Sequence, residues 1–103
     1  MEKEINARII DTFLGIEHGC LTFQLFIGVE NAEQAYGGYN ISGYSGGPVI
    51  KKILETLEVE KWESLIGTYI RLIRLEDGKI KSIKHITKNK EIDLPIFIQG
   101  IKS

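Results

Sequence analysis

The chain has little of the chemistry that small proteins use to reinforce a fold or to build a metal centre. Cys20 is the only cysteine among 103 residues, so neither an intramolecular disulfide nor a cysteine-rich zinc site can form. No apolar run approaches the roughly 20 residues of a membrane-spanning helix. The charged N-terminus, MEKEINARII, lacks the apolar core of a signal peptide. These absences predict a protein of the reducing cytoplasm with no membrane association.

The net charge of the whole chain is also small, although that of each half is not. The formal net charge is -1, which argues against a general nucleic-acid coat. Residues 1–50 carry two basic and six acidic residues, whereas residues 51–103 carry eleven basic and eight acidic ones. A near-neutral total therefore conceals an acidic first half and a basic second half. The length and a hydrophobic content of 43% predict a single domain, residues 1–103, with one core.

Period-two alternation of apolar residues dominates the first half. It is clearest from Cys20 to Val29 and predicts a strand there. A first strand is predicted over Ile5–Leu14, with Ile5, Ala7, Ile9 and Phe13 on one face. The intervening residues 15–19, bracketed by glycines, indicate a hairpin connection. Tyr36–Ile41 is predicted to be a short, glycine-weakened strand after a polar loop at residues 30–35.

The second half predicts a helix followed by a hairpin. An apolar stripe at helical spacing places the helix at Pro48–Leu57, with Trp62 packing into the core. Asp77 and Gly78 indicate a tight turn between strands at residues 69–75 and 79–86. After a charged loop at residues 87–93, Leu94–Ile98 is predicted to be either a final edge strand or an arm that docks on a partner. The fold class is therefore α+β, a mostly antiparallel twisted sheet of five to six strands with one main helix in the order β-β-β-α-β-β.

Apolar residues occur on both faces of two predicted strands, and one helix cannot cover both faces of the sheet. Phe26 faces away from the Leu21 series in the second strand, and the fourth strand shows the same doubling. The second cover is either the sheet curling on itself or another subunit. We favour a homo-oligomer.

No catalytic set stands out. His18 and Cys20 would share a strand side, but no third group orients them, and a structural cysteine is the commoner situation. His18 and His85 with Asp11 or Glu17 show no metal-ligand spacing. We therefore predict a protein that is not an enzyme and that needs neither a metal nor a cofactor.

Two groups of residues are candidates for binding a ligand. The glycine-tyrosine segment offers backbone amides for phosphate and rings for a nucleobase, or else it only forms turns and a core boundary. The basic hairpin offers cations for phosphate, or else its charges only keep an edge solvated. The candidate ligand-binding residues are Tyr36, Gly37, Gly38, Tyr39, Tyr44, Arg71, Arg74, Lys84 and His85.

Four segments resemble a family of small phage and prophage proteins, most without an assigned function. They are NARIIDTFLGIEHGCLTFQL, YGGYNI, LEVEKWESLIGTYIRL and EDGKIKSIKHI, which together cover most of residues 6–86. The chain departs from that family by a shortened segment between Tyr44 and Pro48 and by its sequence after Ile86. The resemblance implies a phage origin.

By analogy, small phage proteins with a glycine-aromatic loop and arginines on a sheet are similar to anti-defence sponges. Such oligomeric proteins sequester cyclic ADP-ribose isomers in Thoeris defence or cyclic oligonucleotides in CBASS defence. The first hypothesis is therefore sequestration of a small cyclic nucleotide, without cleavage, in the cytoplasm of the infected host. The alternatives are an accessory factor that binds nucleic acid through the basic hairpin, and an inhibitor that binds a host defence protein through an apolar surface.

Overall fold

A computed structural model describes residues 2–43 and 46–102 as one curved antiparallel sheet with two α-helices. The elements are β1 (Lys3–Glu17), β2 (Cys20–Val29), β3 (Ala32–Asn40), α1 (Gly46–Leu57), a 3-10 helix (Trp62–Leu65), β4 (Tyr69–Arg74), β5 (Ile80–His85), β6 (Glu91–Ile92) and α2 (Leu94–Lys102). The strand order is β3-β2-β1-β4-β5-β6. The predicted α+β class and the single main helix between the third and fourth strands are confirmed.

The long strand β1 serves both halves of the sheet. Residues 3–8 pair with β4, and residues 8–17 pair with β2. A β-bulge between Ile9 and Asp11 lies where β1 passes from one partner to the other. Such a bulge bends a strand and increases its twist, which allows β1 to turn the corner of a curled sheet.

The bulge also corrects one prediction. Ile5, Ala7 and Ile9 do share the core face, but Phe13 does not, since it pairs with Gln24 on the opposite face of the sheet. One inserted residue shifts the side-chain alternation by one position. Thr12, Leu14 and Ile16 therefore continue the core face beyond the bulge, in register with Leu25, Phe23 and Leu21.

Curling brings the free edge of β3 next to β5. The Tyr36 hydroxyl donates to the carbonyl oxygen of Lys81 at 2.9 Å, and Gln34 Nε2 donates to the carbonyl oxygen of Gly78 at 2.7 Å. Both strands run in the same direction as β1, so they approach in parallel. We call this junction the seam, formed by Gln34, Tyr36, Gly78 and Lys81. Side chains bridge it, and no β3–β5 pairing occurs among the described strands.

This connectivity is that of an OB barrel, a five-stranded, partly open Greek-key barrel. The strand order 3-2-1-4-5, the helix between β3 and β4 and the approach of β3 to β5 all agree with it. Curling encloses the core face of the sheet, but it does not cover Phe26, which lies on the opposite face. The enclosed core consists of apolar residues from the strands and from α1, including Ile9, Leu25, Ile27, Val49, Ile53, Ile70, Leu72 and Ile83.

The C-terminal segment differs from its prediction. The sixth strand lies at Glu91–Ile92, inside the expected loop, and residues 94–102 form α2 instead of an edge strand. Asp93 explains the helix, because its carboxylate accepts the Ile96 N–H at 3.2 Å in the manner of an N-cap. Leu94 and Ile98 are buried, so α2 packs on the barrel of its own chain.

Candidate functional site

Tyr36 is a buried part of the seam. Its side chain is 5% exposed, and its hydroxyl, besides donating to Lys81, accepts the Leu94 N–H at 3.0 Å. Burial raises the pKa of Tyr36 well above its ordinary value. The ring therefore faces the core, and its polar atom joins β3, β5 and α2.

Gly37 permits a close backbone approach beside Tyr36. Its φ is +129°, and a Cβ there would lie 2.7 Å from the Phe23 carbonyl oxygen. Gly38 follows with φ +83°, at an irregularity in the β2–β3 register. Tyr39 is half-buried against the core, and burial raises its pKa, with a further contribution from Asp93. Tyr44, also predicted to contact ligand, lies outside the described residues.

A shallow cavity of about 230 Å³ opens at the seam. Its lining brings together Tyr36, Gly37 and Tyr39 with Gln34, Ala35, Lys79 and Ile80. Arg74 is not part of this lining but contacts it, with Nη2 donating to Gln34 Oε1 at 3.1 Å, and its buried Nε has no hydrogen-bond partner among the described residues. The structure thus places part of the predicted tyrosine-glycine group near one predicted arginine.

Arg71 lies elsewhere, on β4. Its guanidinium is ion-paired with Glu4 and donates to the carbonyl oxygens of His85 and Lys88, each at 2.8 Å. Lys84 lies beside it, with Nζ 3.9 Å from the second oxygen of Glu4. Arg71 and Lys84 therefore share a carboxylate, which offsets much of their charge.

His85 and the lysines after β5 belong to a second ion cluster. The main-chain N–H groups of Thr87 and Lys88 each donate to His85 Nδ1 at 3.1 Å. Glu58 accepts from Lys88 at 2.8 Å and lies 2.9 Å from Lys90, and these cations lower the pKa of Glu58 to about 2. The basic charge of the hairpin is thus largely engaged within the chain.

An aromatic surface that the sequence did not single out covers the convex side of β1 and β2. Phe13 and Phe26 lie on this side, cross-strand to Gln24 and Asp11 respectively. Gly15 and Gly28 have no side chain that would crowd Phe13 and Ile10. A Cβ at Gly15 would lie 3.1 Å from the Phe13 ring, and a Cβ at Gly28 would lie 3.1 Å from an Ile10 methyl group. The nearest sequence signal was Phe26 on the second face of β2.

Arg8 and Tyr69 extend this surface onto β4. They are cross-strand partners, and the Arg8 guanidinium lies 5.5 Å from the centroid of the Tyr69 ring. Tyr69 is 62% exposed. We call the convex surface formed by Arg8, Ile10, Phe13, Phe26 and Tyr69 the outer face.

The outer face continues into the ion-paired part of β4 and β5. By strand register, Asn6, Arg71 and Lys84 follow Arg8 and Tyr69 on the same side of the sheet. Exposed rings are thus followed by a guanidinium and an ammonium group on a single surface. Asp11 lies within the outer face, cross-strand to Phe26, and Glu33 lies at its margin on β3.

The comparisons with known proteins identify no relative: no family model, curated protein or solved structure matches the chain. None of the helices in residues 2–43 and 46–102 has the length and apolarity needed to cross a bilayer. The phage resemblance accordingly stays a prediction.

Proposed function

We propose that the protein binds single-stranded nucleic acid across its outer face, without catalysis. The observation that carries this proposal is a row of rings on the convex strands of a barrel with OB connectivity, with Phe13 and Tyr69 exposed and Phe26 half-buried. In that fold the face of strands 2 and 3 and the neighbouring loops bind oligonucleotides, and the outer face shares β2 with that surface through Phe26. Because fold alone does not establish function, the argument rests on the side chains of this face.

Bases would stack on Phe13, Phe26 and Tyr69, since every base offers a π-face to an aromatic ring. Arg8 would hold a phosphate beside Tyr69, and Arg71 with Lys84 would accept another in place of Glu4. This proposal is the nucleic-acid alternative that the sequence predicts, but at a different site. Aromatic rings of β1 and β2 now form the site together with the predicted basic hairpin. With Asp11 within the outer face and Glu33 at its margin, stacking contributes more to the affinity than charge does.

The test is fluorescence anisotropy of a labelled oligothymidine of about 15 nucleotides, a length within the range of OB site sizes. Phe26→Ala is expected to weaken binding roughly 5- to 150-fold, which corresponds to the loss of one stacked base. Ile96→Ala, an exposed apolar residue on α2, is the matched control and is expected to leave affinity unchanged. Absence of binding by the parent chain, or equal loss in both variants, would contradict the proposal.

Salt dependence separates the two kinds of contact. Arg71→Gln is expected to make the slope of log affinity against log salt less negative by about 0.7, the value for one phosphate contact on a single strand. Phe26→Ala is expected to leave that slope unchanged. Circular dichroism of each variant checks that the fold is retained.

A second candidate is sequestration of a small cyclic nucleotide at the seam, as first expected from the sequence. The cavity there groups Tyr36, Gly37 and Tyr39. Arg74, whose buried Nε has no hydrogen-bond partner among the described residues, bonds to Gln34 of the cavity lining. At about 230 Å³ it is smaller than the usual ligand pocket of roughly 300 Å³ or more, so a second copy would have to complete it. This second candidate function includes the predicted homo-oligomer, the predicted location in the host cytoplasm and the predicted anti-defence role.

Isothermal titration with cyclic ADP-ribose isomers and cyclic di- and trinucleotides distinguishes the two candidates. Heat with the cyclic ligands that disappears in Arg74→Gln would favour sequestration. Binding of the oligonucleotide alone would favour the outer face. If the protein instead binds a host protein through its apolar surface, the third expectation, neither the oligonucleotide nor the cyclic nucleotides would bind.

A further inference from the structure

The edge of β1 that faces away from β2 is unpaired beyond the bulge. Strand β4 accompanies β1 only to Arg8, and Ile9 makes the last two links, accepting from Gly67 and donating to Thr68. Residues 11–17 then continue with β2 on one side and no strand on the other among the described elements. Their sequence is DTFLGIE.

The hairpin turn determines which residues point to that free edge. His18 and Gly19 have φ of +52° and +77°, as in a two-residue type I′ turn, so Glu17 and Cys20 form a hydrogen-bonded pair. Hydrogen-bonded and non-hydrogen-bonded pairs alternate along an antiparallel ladder. The main-chain groups of Leu14 and Ile16 therefore point away from β2.

The observed contacts agree with this assignment. The Thr12 N–H, which points the same way, bonds to the carboxylate of Asp11 at 2.8 Å instead of to a strand. On β2, Leu21 also points away from β1, and its carbonyl oxygen accepts from Ile41 at 2.8 Å. In the described part of the chain, no hydrogen bond reaches the edge groups of Leu14 and Ile16.

Apolar side chains accompany these open main-chain groups. Leu14 is 43% exposed, Ile16 is 70% exposed and Phe13 is 37% exposed. A long, apolar, unpaired edge is a template for another strand, and proteins usually block such an edge with charge or proline. Between Asp11 and Glu17 this edge has neither.

We propose that this edge pairs with the same edge of a second copy, antiparallel, about a two-fold axis through Gly15. In this register Leu14 and Ile16 of one copy face Ile16 and Leu14 of the other, and each pair exchanges two main-chain hydrogen bonds. Each apolar side chain thereby meets an apolar partner on the concave side.

The other side of the same register is also complementary. Gly15 faces its own symmetry mate, which leaves room for the two Phe13 rings that already lie over the glycines. Phe13 faces Glu17 of the second copy, so no carboxylate opposes another. A register centred on Leu14 would instead set Asp11 against Glu17, a repulsive pair. A second copy therefore fits this edge without a like-charge clash.

The oligomeric state is tested by sedimentation equilibrium from about 1 µM to about 1 mM, covering weak to moderate affinities. Ile16→Lys is expected to weaken the dimer roughly tenfold or more, because symmetry makes each substitution act twice. Ile96→Lys is the matched control: the residue type is the same and the exposure is similar, 65%, but it lies on α2. A parent chain that stays monomeric throughout, or equal weakening by both variants, overturns the proposal.

Disulfide cross-linking tests the register in a Cys20→Ser background. In the proposed dimer, residue 15 of one copy would face residue 15 of the other. Their Cα atoms would be about 4.5 Å apart, within the range for a disulfide. Gly15→Cys is expected to cross-link on oxidation, whereas Glu33→Cys, exposed on β3, is not. A mixture of Leu14→Cys and Ile16→Cys chains leaves the glycine in place and is expected to cross-link only between the two kinds of chain. Failure of both designs excludes this register, and neither result depends on nucleic-acid binding.

Discussion

The Tyr36 hydroxyl lies 2.9 Å from the carbonyl oxygen of Lys81, and this contact joins two strands that are at opposite ends of the barrel sheet. The same oxygen accepts the Leu94 N–H at the start of α2. One buried phenol thus connects β3, β5 and the C-terminal helix. The closure of the barrel depends on this side chain because no ladder of main-chain bonds spans the seam in the described chain.

We expect Tyr36→Phe to destabilise the protein. It removes a hydroxyl that makes two hydrogen bonds and leaves the buried Leu94 N–H without its acceptor, which costs about 1–3 kcal/mol. Urea unfolding monitored by circular dichroism measures the loss. Tyr69→Phe, at an exposed ring, is the control and is expected to change the free energy of unfolding by less than about 0.5 kcal/mol. Equal effects would show that the seam hydroxyl is unimportant.

Gly37→Ala is expected to destabilise the protein. Its φ of +129° disfavours a side chain, and the new Cβ would lie 2.7 Å from a backbone oxygen. A cost of roughly 1–3 kcal/mol follows from the backbone conformation alone. Gly47→Ala provides the contrast, since nothing lies within 4 Å of its Cβ position and alanine favours a helix more than glycine does. Thermal melting of the two variants should therefore shift in opposite directions.

Protonation of Glu58 is expected to weaken the protein in acid. Lys88 and Lys90 lower its pKa from 4.5 to about 2 in the folded state. A carboxylate with a depressed pKa contributes stability that is complete above its unfolded pKa and is lost as the pH falls toward the folded one. The difference in melting temperature between the parent chain and Glu58→Gln should thus shrink from pH 5 to about pH 2.

High salt should shrink the same difference at neutral pH, because the ion pairs of Glu58 are near the surface. Glu63→Gln, exposed on the 3-10 helix, serves as the reference variant. A difference for Glu58→Gln that does not change with pH would exclude the ion cluster as a source of stability.

His18→Asn is expected to stabilise the β1–β2 hairpin. His18 has φ +52° at the first position of a type I′ turn and is followed by Gly19. Asn-Gly is the preferred pair for that turn, since asparagine tolerates positive φ better than histidine. A gain of a few tenths of a kcal/mol should appear in urea unfolding. His18→Val, β-branched at the same φ, is expected to have the opposite effect.

Local chemistry in the sequence was enough to predict most elements. The alternation of β2, the apolar stripe of α1 and the Asp77-Gly78 turn each depend on neighbours in the chain, and all three were predicted correctly. At residues 94–98 the sequence predicts an edge strand or a docking arm, and the structure has a helix, because an apolar run suits either a strand or a helix. Capping by Asp93 and the packing of Leu94 and Ile98 against the barrel decide for a helix.

The tertiary structure alone decided what the sequence left open. One bulge after Ile9 turned Phe13 to the outer face, which periodicity read from the sequence could not reveal. Sheet curvature brings Tyr36 to Lys81 across 45 residues of chain. It also buries the Tyr36 ring, which the sequence predicts to contact a ligand. Scarce cysteine and near-zero net charge limited the classes of site from the beginning. Which cations are paired, which rings are exposed and which edge is open depend on long-range contacts, and these exist only in the folded chain.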